Sequence, residues 1–236
     1  MKIRSFALLA ISVPICLSAA SSEAQLAVYY SFDTPPSAAL VTGMQAEVNR
    51  ILSSAGVRVA WRAAESSRNG EDFQGVVFLR FQGECSWDES LAAKDNYSDP
   101  AGQSLAATDI ADGHVLPFGS VHCDTLRHYL TPVLKSNARE DNEVALGRAI
   151  ARVSSHEIYH MLTGSEEHAR HGIASASHSR ADLTGPSFGF GQQQTNWLRA
   201  WAAQTVSRQA IVAATVTNNP VPAEPVVSGG GDAAGR

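Results

Sequence analysis

Three residues within the stretch HEIYH, His156, Glu157 and His160, have the types and spacing needed for metal-assisted hydrolysis. Histidines four apart in a helix stack one turn above the other, so both imidazoles leave the same face and two nitrogens can reach one tetrahedral Zn²⁺. Glu157, beside the first ligand, points to the side of that face. There a carboxylate can take a proton from zinc-activated water, whose pKa falls to about 7, and later return it to the leaving group. A surface helix with two solvated histidines is the plainer alternative. Against it, the turns before the motif (Ala149, Ile150, Ala151, Val153) are small and apolar, as in a buried helix leading into a cleft. Arg148 and Arg152 fall on the histidine side and predict that the first turns reach solvent.

A catalytic zinc takes three protein ligands and keeps one open position. Downstream of His160 the candidates are His168, His171, His178 and Asp182. His168 lies just past the expected helix stop at Gly164, where the chain can turn back toward the metal, and is the first choice. His171 and Asp182 remain open as rivals, and His171 and His178 otherwise read as solvated loop histidines. Ser154 and Ser155 read as helix residues with back-bonded hydroxyls. Trp197 and Trp201, at helical spacing, read as core, and Tyr159 is left undecided between core and substrate.

The elements that position these residues follow from periodicity. Leu26–Phe32, Val57–Trp61, Val76–Phe81, Ala106–Ile110 and His114–His122 have strand character. Val76–Phe81 lies between glycines and is expected at the centre of the sheet, whereas Pro117 confines the last strand to an edge or a bulge. Helices are expected over Ala38–Ser54, Cys123–Leu134, Glu143–Leu162 and Gln193–Ala203. A polar linker is expected at 136–142 and a long surface loop at 88–102. The fold class is therefore α+β (α/β), a mixed twisted sheet with packed helices.

The segment ALGRAIARVSSHEIYHMLTGSEEHARHGIA resembles a group of exported bacterial HExxH proteins that look like distant relatives of the metzincin zinc peptidases. The resemblance spans roughly residues 75–185, including VVFLRFQGECS, ADGHVLPFGSVHCD and the pair Asp182–Leu183. It implies a mixed sheet, an active-site helix carrying His156, Glu157 and His160, and a third ligand just after that helix, which by position is His168. The chain departs from the metzincin pattern in having Thr163 and Glu166 where a glycine and the third ligand would stand. It also has no methionine after Met161.

Composition sets the setting. With 44% hydrophobic and 17% charged residues, 236 residues can bury one core. Lys2 and Arg4, the apolar run Phe6–Leu17 and the small residues that follow have the build of a secretory signal peptide, cut after Ala24 or nearer Ala20. The mature chain would run from 25 to about 212 as one metallopeptidase-like domain, with 213–236, rich in Pro, Gly and Ala, as a disordered tail. Removing 1–24 leaves 16 basic and 22 acidic residues, and this acidic balance argues against nucleic-acid binding. Nothing after the signal has the make-up of a membrane span. Of three cysteines, Cys85 and Cys123 survive that cut, and an exported chain with one pair is expected to join them.

These readings predict an exported Zn²⁺-dependent hydrolase, a metallopeptidase acting on peptide or protein substrates, with the substrate strand lying along His114–Ser120. The alternative is a non-catalytic exported zinc-binding module.

Overall fold

The computed structural model describes residues 23–65, 72–88, 103–134 and 139–218. Residues 1–22 of the expected signal segment 1–24, nearly all of the 88–102 loop, part of the expected linker and the part of the expected tail from 219 lie outside these residues.

Among the described residues the chain forms a five-stranded mixed sheet and five helices. In chain order the elements are β1 (Ala24–Thr34), α1 (Ala38–Ser53), β2 (Val57–Ala63), β3 (Gly75–Glu84), β4 (Ala106–Ala111), β5 (His114–His122), α2 (Cys123–Leu134), α3 (Arg139–Thr163), α4 (Arg180–Thr184) and α5 (Gln192–Asn218). The strand order is β2-β1-β3-β5-β4, with β4 alone antiparallel. Every expected strand and helix is present. α3 starts four residues early, inside the expected linker, and α5 runs to Asn218, past the expected start of the tail. β1 begins at Ala24, which is fully buried and donates its amide to the Gly56 carbonyl, so the strand opens one residue before the expected domain boundary.

β3 is central, as its apolar run predicts, yet it is buried on one face only. Val77, Leu79 and Phe81 enter the core on the side of α2 and α3, while Val76 and Phe78 remain 41% and 39% exposed. On that open face Tyr29, Phe78 and Phe118 stack across β1, β3 and β5 with centroids 5.3 and 5.1 Å apart, a cross-strand ladder that shields part of the apolar surface.

β5 is not an edge strand. It pairs with β3 on one side and β4 on the other, because the hairpin through Asp112 and Gly113 folds β4 to the outside. Pro117 is accommodated by the irregularity between β4 and β5, where residues 116–118 face the single residue Asp109, so no ladder hydrogen bond is demanded of it. The free edge beside the helix layer therefore belongs to β4.

Cys85, just after β3, is bonded to Cys123 at the start of α2. The bond closes a loop of 38 residues, worth ~3 to 4 kcal/mol in the loop-entropy description. Among the described residues no helix is long and apolar enough to cross a membrane.

Candidate metal centre

α3 is the spine of the site. Its buried turns (Leu146, Ala149, Ile150, Val153) pack on α1 and the sheet, which places His156, Glu157 and His160 at the inner wall of a cavity of about 650 Å³. β4 and the loop after α3 form the opposite walls. All three residues are less than 9% exposed.

Arg152 carries much of this placement. Contrary to the expectation of solvent contact, it is fully buried, 2.9 Å from Glu47 of α1. It also donates to the carbonyls of Asp182 (2.6 Å) and Gly185 (2.9 Å). A buried guanidinium persists only when its donors are met, and these acceptors meet them while tying the returning loop to α3. Arg148 adds a bond to the Thr184 carbonyl at 2.7 Å.

The two helix histidines are held by backbone carbonyls. His156 Nδ1 lies 2.7 Å from the Ile173 oxygen and His160 Nδ1 lies 2.5 Å from the Ser165 oxygen. A carbonyl can only accept, so each Nδ1 carries the proton and each neutral ring turns an Nε2 lone pair toward the other. Those two Nε2 atoms are 2.9 Å apart. With no proton between them they repel, and a cation relieves the repulsion. Burial depresses the pKa of His156 to about 3, despite its bond to Ile173, and also lowers that of His160, so protons are poor candidates for that cation near neutrality.

His168 completes the group. Its ring centroid lies 5.2 Å from that of His156 and 4.9 Å from that of His160. One potential ligand atom from each of the three histidines falls within 4.8 Å of the others, so the group could hold a metal ion. Two glycines make this return possible. Gly164, at φ +63°, caps the helix by donating to the His160 carbonyl, and Gly172, at φ +79°, has no room for a Cβ, which would meet the Gly189 oxygen at 2.6 Å. Between them the Ala169 amide bonds the Ala174 carbonyl at 2.7 Å, pinning the loop one residue after His168. No family model and no curated protein matches this chain.

The rival third ligands go elsewhere. Asp182 forms a capping box with Ser179, whose hydroxyl and amide donate to its carboxylate and hold it below the usual carboxylate range. His171 is exposed and outside the histidine group. His178 was expected in solvent but is half-buried. Its Nε2 donates to the same Ile173 oxygen that orients His156, and its ring lies 5.6 Å from that of His156. It thus buttresses the site without joining the group of three, a role that no sequence spacing signals.

Glu157 is not among the three grouped residues. Its carboxylate faces the cavity and accepts a 2.6 Å bond from the Thr108 hydroxyl on β4. Burial raises its pKa, and the Thr108 bond offsets that in part. Thr108 was not singled out from sequence, since a lone threonine in an edge strand carries no motif. Tyr159 is fully buried against Phe190 and Trp197 and belongs to the core. Trp201 packs on the core, whereas Trp197 keeps a face 37% open to solvent, and neither lines the cavity. The Ser155 hydroxyl back-bonds to the Ala151 carbonyl as expected, whereas the buried Ser154 hydroxyl does not back-bond.

Proposed function

We propose that this protein is an exported zinc-dependent peptidase, with His156, His160 and His168 holding the metal and Glu157 acting as general base. The observation that carries the reading is the pair of carbonyl-oriented imidazoles whose lone pairs converge at 2.9 Å, with a third histidine beside them. An all-nitrogen donor set suits zinc rather than the oxygen-seeking calcium or magnesium. Three ligands beside an open cavity match a catalytic site better than a structural one, which four protein ligands would close.

Bound zinc would supply Lewis acidity, lowering the pKa of a water toward ~7 and polarising a carbonyl oxygen. The chain's own residues do the rest. Glu157, fixed by Thr108 and poised by burial above the ordinary carboxylate range, accepts the proton of the attacking water and passes it to the departing amine. The walls of the cavity limit bulk water around that transfer. An extended peptide has a template in β4, whose outer edge is unpaired among the described residues and whose Ala106, Ala107 and Thr108 border the cavity. This replaces β5 as the substrate strand. Export fits the Cys85–Cys123 bond, and a cut nearer Ala20 would leave β1 whole.

The test is cleavage of a random peptide pool by the purified protein, read by mass spectrometry. Cleavage should stop with a chelator and return with added zinc. A pool left intact by metal-loaded protein would refute the peptidase reading.

A further inference from the structure

We propose that Arg180 selects substrates bearing a carboxylate, gripping it at one end of the cavity; this rests on the peptidase reading and names its substrate class. Arg180 follows the Ser179 cap at the start of α4 and lines the cavity. Its Nε donates to the Tyr129 carbonyl at 2.6 Å, and its guanidinium lies over the Tyr129 ring, 4.5 Å from the centroid. Tyr129 is itself anchored, its hydroxyl donating to the His178 carbonyl at 3.0 Å, and the His178 ring stands beside His156. The arginine is thereby anchored on the wall of the same cavity that His156, Glu157, His160 and His168 line.

What this anchoring leaves over points to a ligand. With Nε committed, the two terminal amino groups form the fork that binds a carboxylate through two parallel hydrogen bonds, and they have no acceptor among the described residues. Exposed Arg50, Arg58 and Arg80 each pair with a carboxylate of this chain and Arg199 donates to the Ser54 carbonyl, whereas Arg180 alone among the described arginines lines the cavity. No lysine lines it among the described residues, and much of the remaining wall is apolar, including Leu105, Ile110, Val115 and Val153. Glu157 and Glu166 also line it and repel an anion placed near them, which fixes the polarity of the site. The matching substrate is a peptide whose carboxylate, from its C-terminus or from an acidic side chain, sits against Arg180 with apolar residues along β4.

The test uses the full chain carrying Glu157→Gln, which binds without turning over, and measures retention of random hexapeptide pools on the immobilised protein. One comparison sets free C-terminal acids against amides; the other sets glutamate against glutamine inside amidated peptides. At least one carboxylate form should be retained about tenfold better than its neutral counterpart, as a charge-assisted pair supplies, with the advantage shrinking in salt. The comparison that responds identifies the source of the carboxylate. Adding Arg180→Met should bring that ratio to about one, and Arg180→Lys, a folding control that keeps charge without the fork, should restore only part of it. Equal retention of acid and neutral forms, retention of neither, or a preference that survives Arg180→Met overturns the proposal. Binding is read apart from cleavage, so a carboxylate preference in the Glu157→Gln protein, beside a metal-loaded wild-type protein that cleaves no peptide, would uphold Arg180 and refute the peptidase reading. The converse result would refute Arg180 alone.

Discussion

Replacing Glu157 with glutamine is expected to lower peptide hydrolysis by about 10²- to 10⁴-fold while leaving bound zinc unchanged, the range associated with loss of a positioned general base. The amide keeps the shape of the carboxylate and can still meet the Thr108 hydroxyl, so the wall of the cavity survives. It cannot accept the proton of an attacking water. Because Glu157 lies outside the group of three histidines, metal content should be indifferent to the change. Parallel measurement of cleavage rate and zinc content checks both halves. A Glu157→Gln protein that kept its zinc and cleaved at the wild-type rate would refute the mechanism.

Acidification should strip the metal and, separately, weaken the metal-free fold. Burial lowers the pKa values of His156, His160 and His178, that of His156 to about 3. The unfolded chain therefore takes up these protons first, near pH 6.5, whereas the folded chain resists them. The stability involved is fully present above pH 6.5 and is lost as pH falls toward the folded values. For His156 alone the loss approaches about 1.4 kcal/mol per pH unit between those limits. Glu157 acts in the opposite sense, since its raised pKa favours the fold as it becomes protonated, but it is one group against three. Denaturant unfolding of chelator-treated protein between pH 6.5 and 5 avoids most carboxylate titration and should reveal a steady decline. Metal should stay bound through this range and leave only as pH approaches the lowered folded values, because only the neutral imidazole is a ligand. A flat stability profile would mean that these rings are not buried as described.

Much of this was legible because it is local. A helix stacks residues four apart whatever else the chain does, so His156 and His160 could be paired from their spacing, and His168 followed from the glycine stop at Gly164. The strands and helices were likewise written in their own periodicity. What escaped depends on partners far away in sequence. Arg152 reads as a solvated residue until Glu47, 105 residues earlier, lies beside it. Pro117 leaves β5 open between an edge and a bulge, and only the pairing with β3 and β4 shows that the irregularity absorbs it and that the substrate-strand reading of β5 as an edge fails. His178 gains its place through the Ile173 carbonyl that it shares with His156, and Thr108 through a carboxylate 49 residues away. Backbone carbonyls and cross-strand hydroxyls have no sequence signature, so the groups that orient the site were the ones hidden.

Metal content of the purified chain, measured by mass spectrometry after preparation without chelators, tests the three-histidine grip most directly. Wild-type protein should carry one zinc per chain, His156→Ala should carry none, and His168→Ala should lose it readily on dialysis while His171→Ala retains it. Wild-type protein free of any transition metal, or a His156→Ala protein that held as much zinc as wild type, would contradict the account.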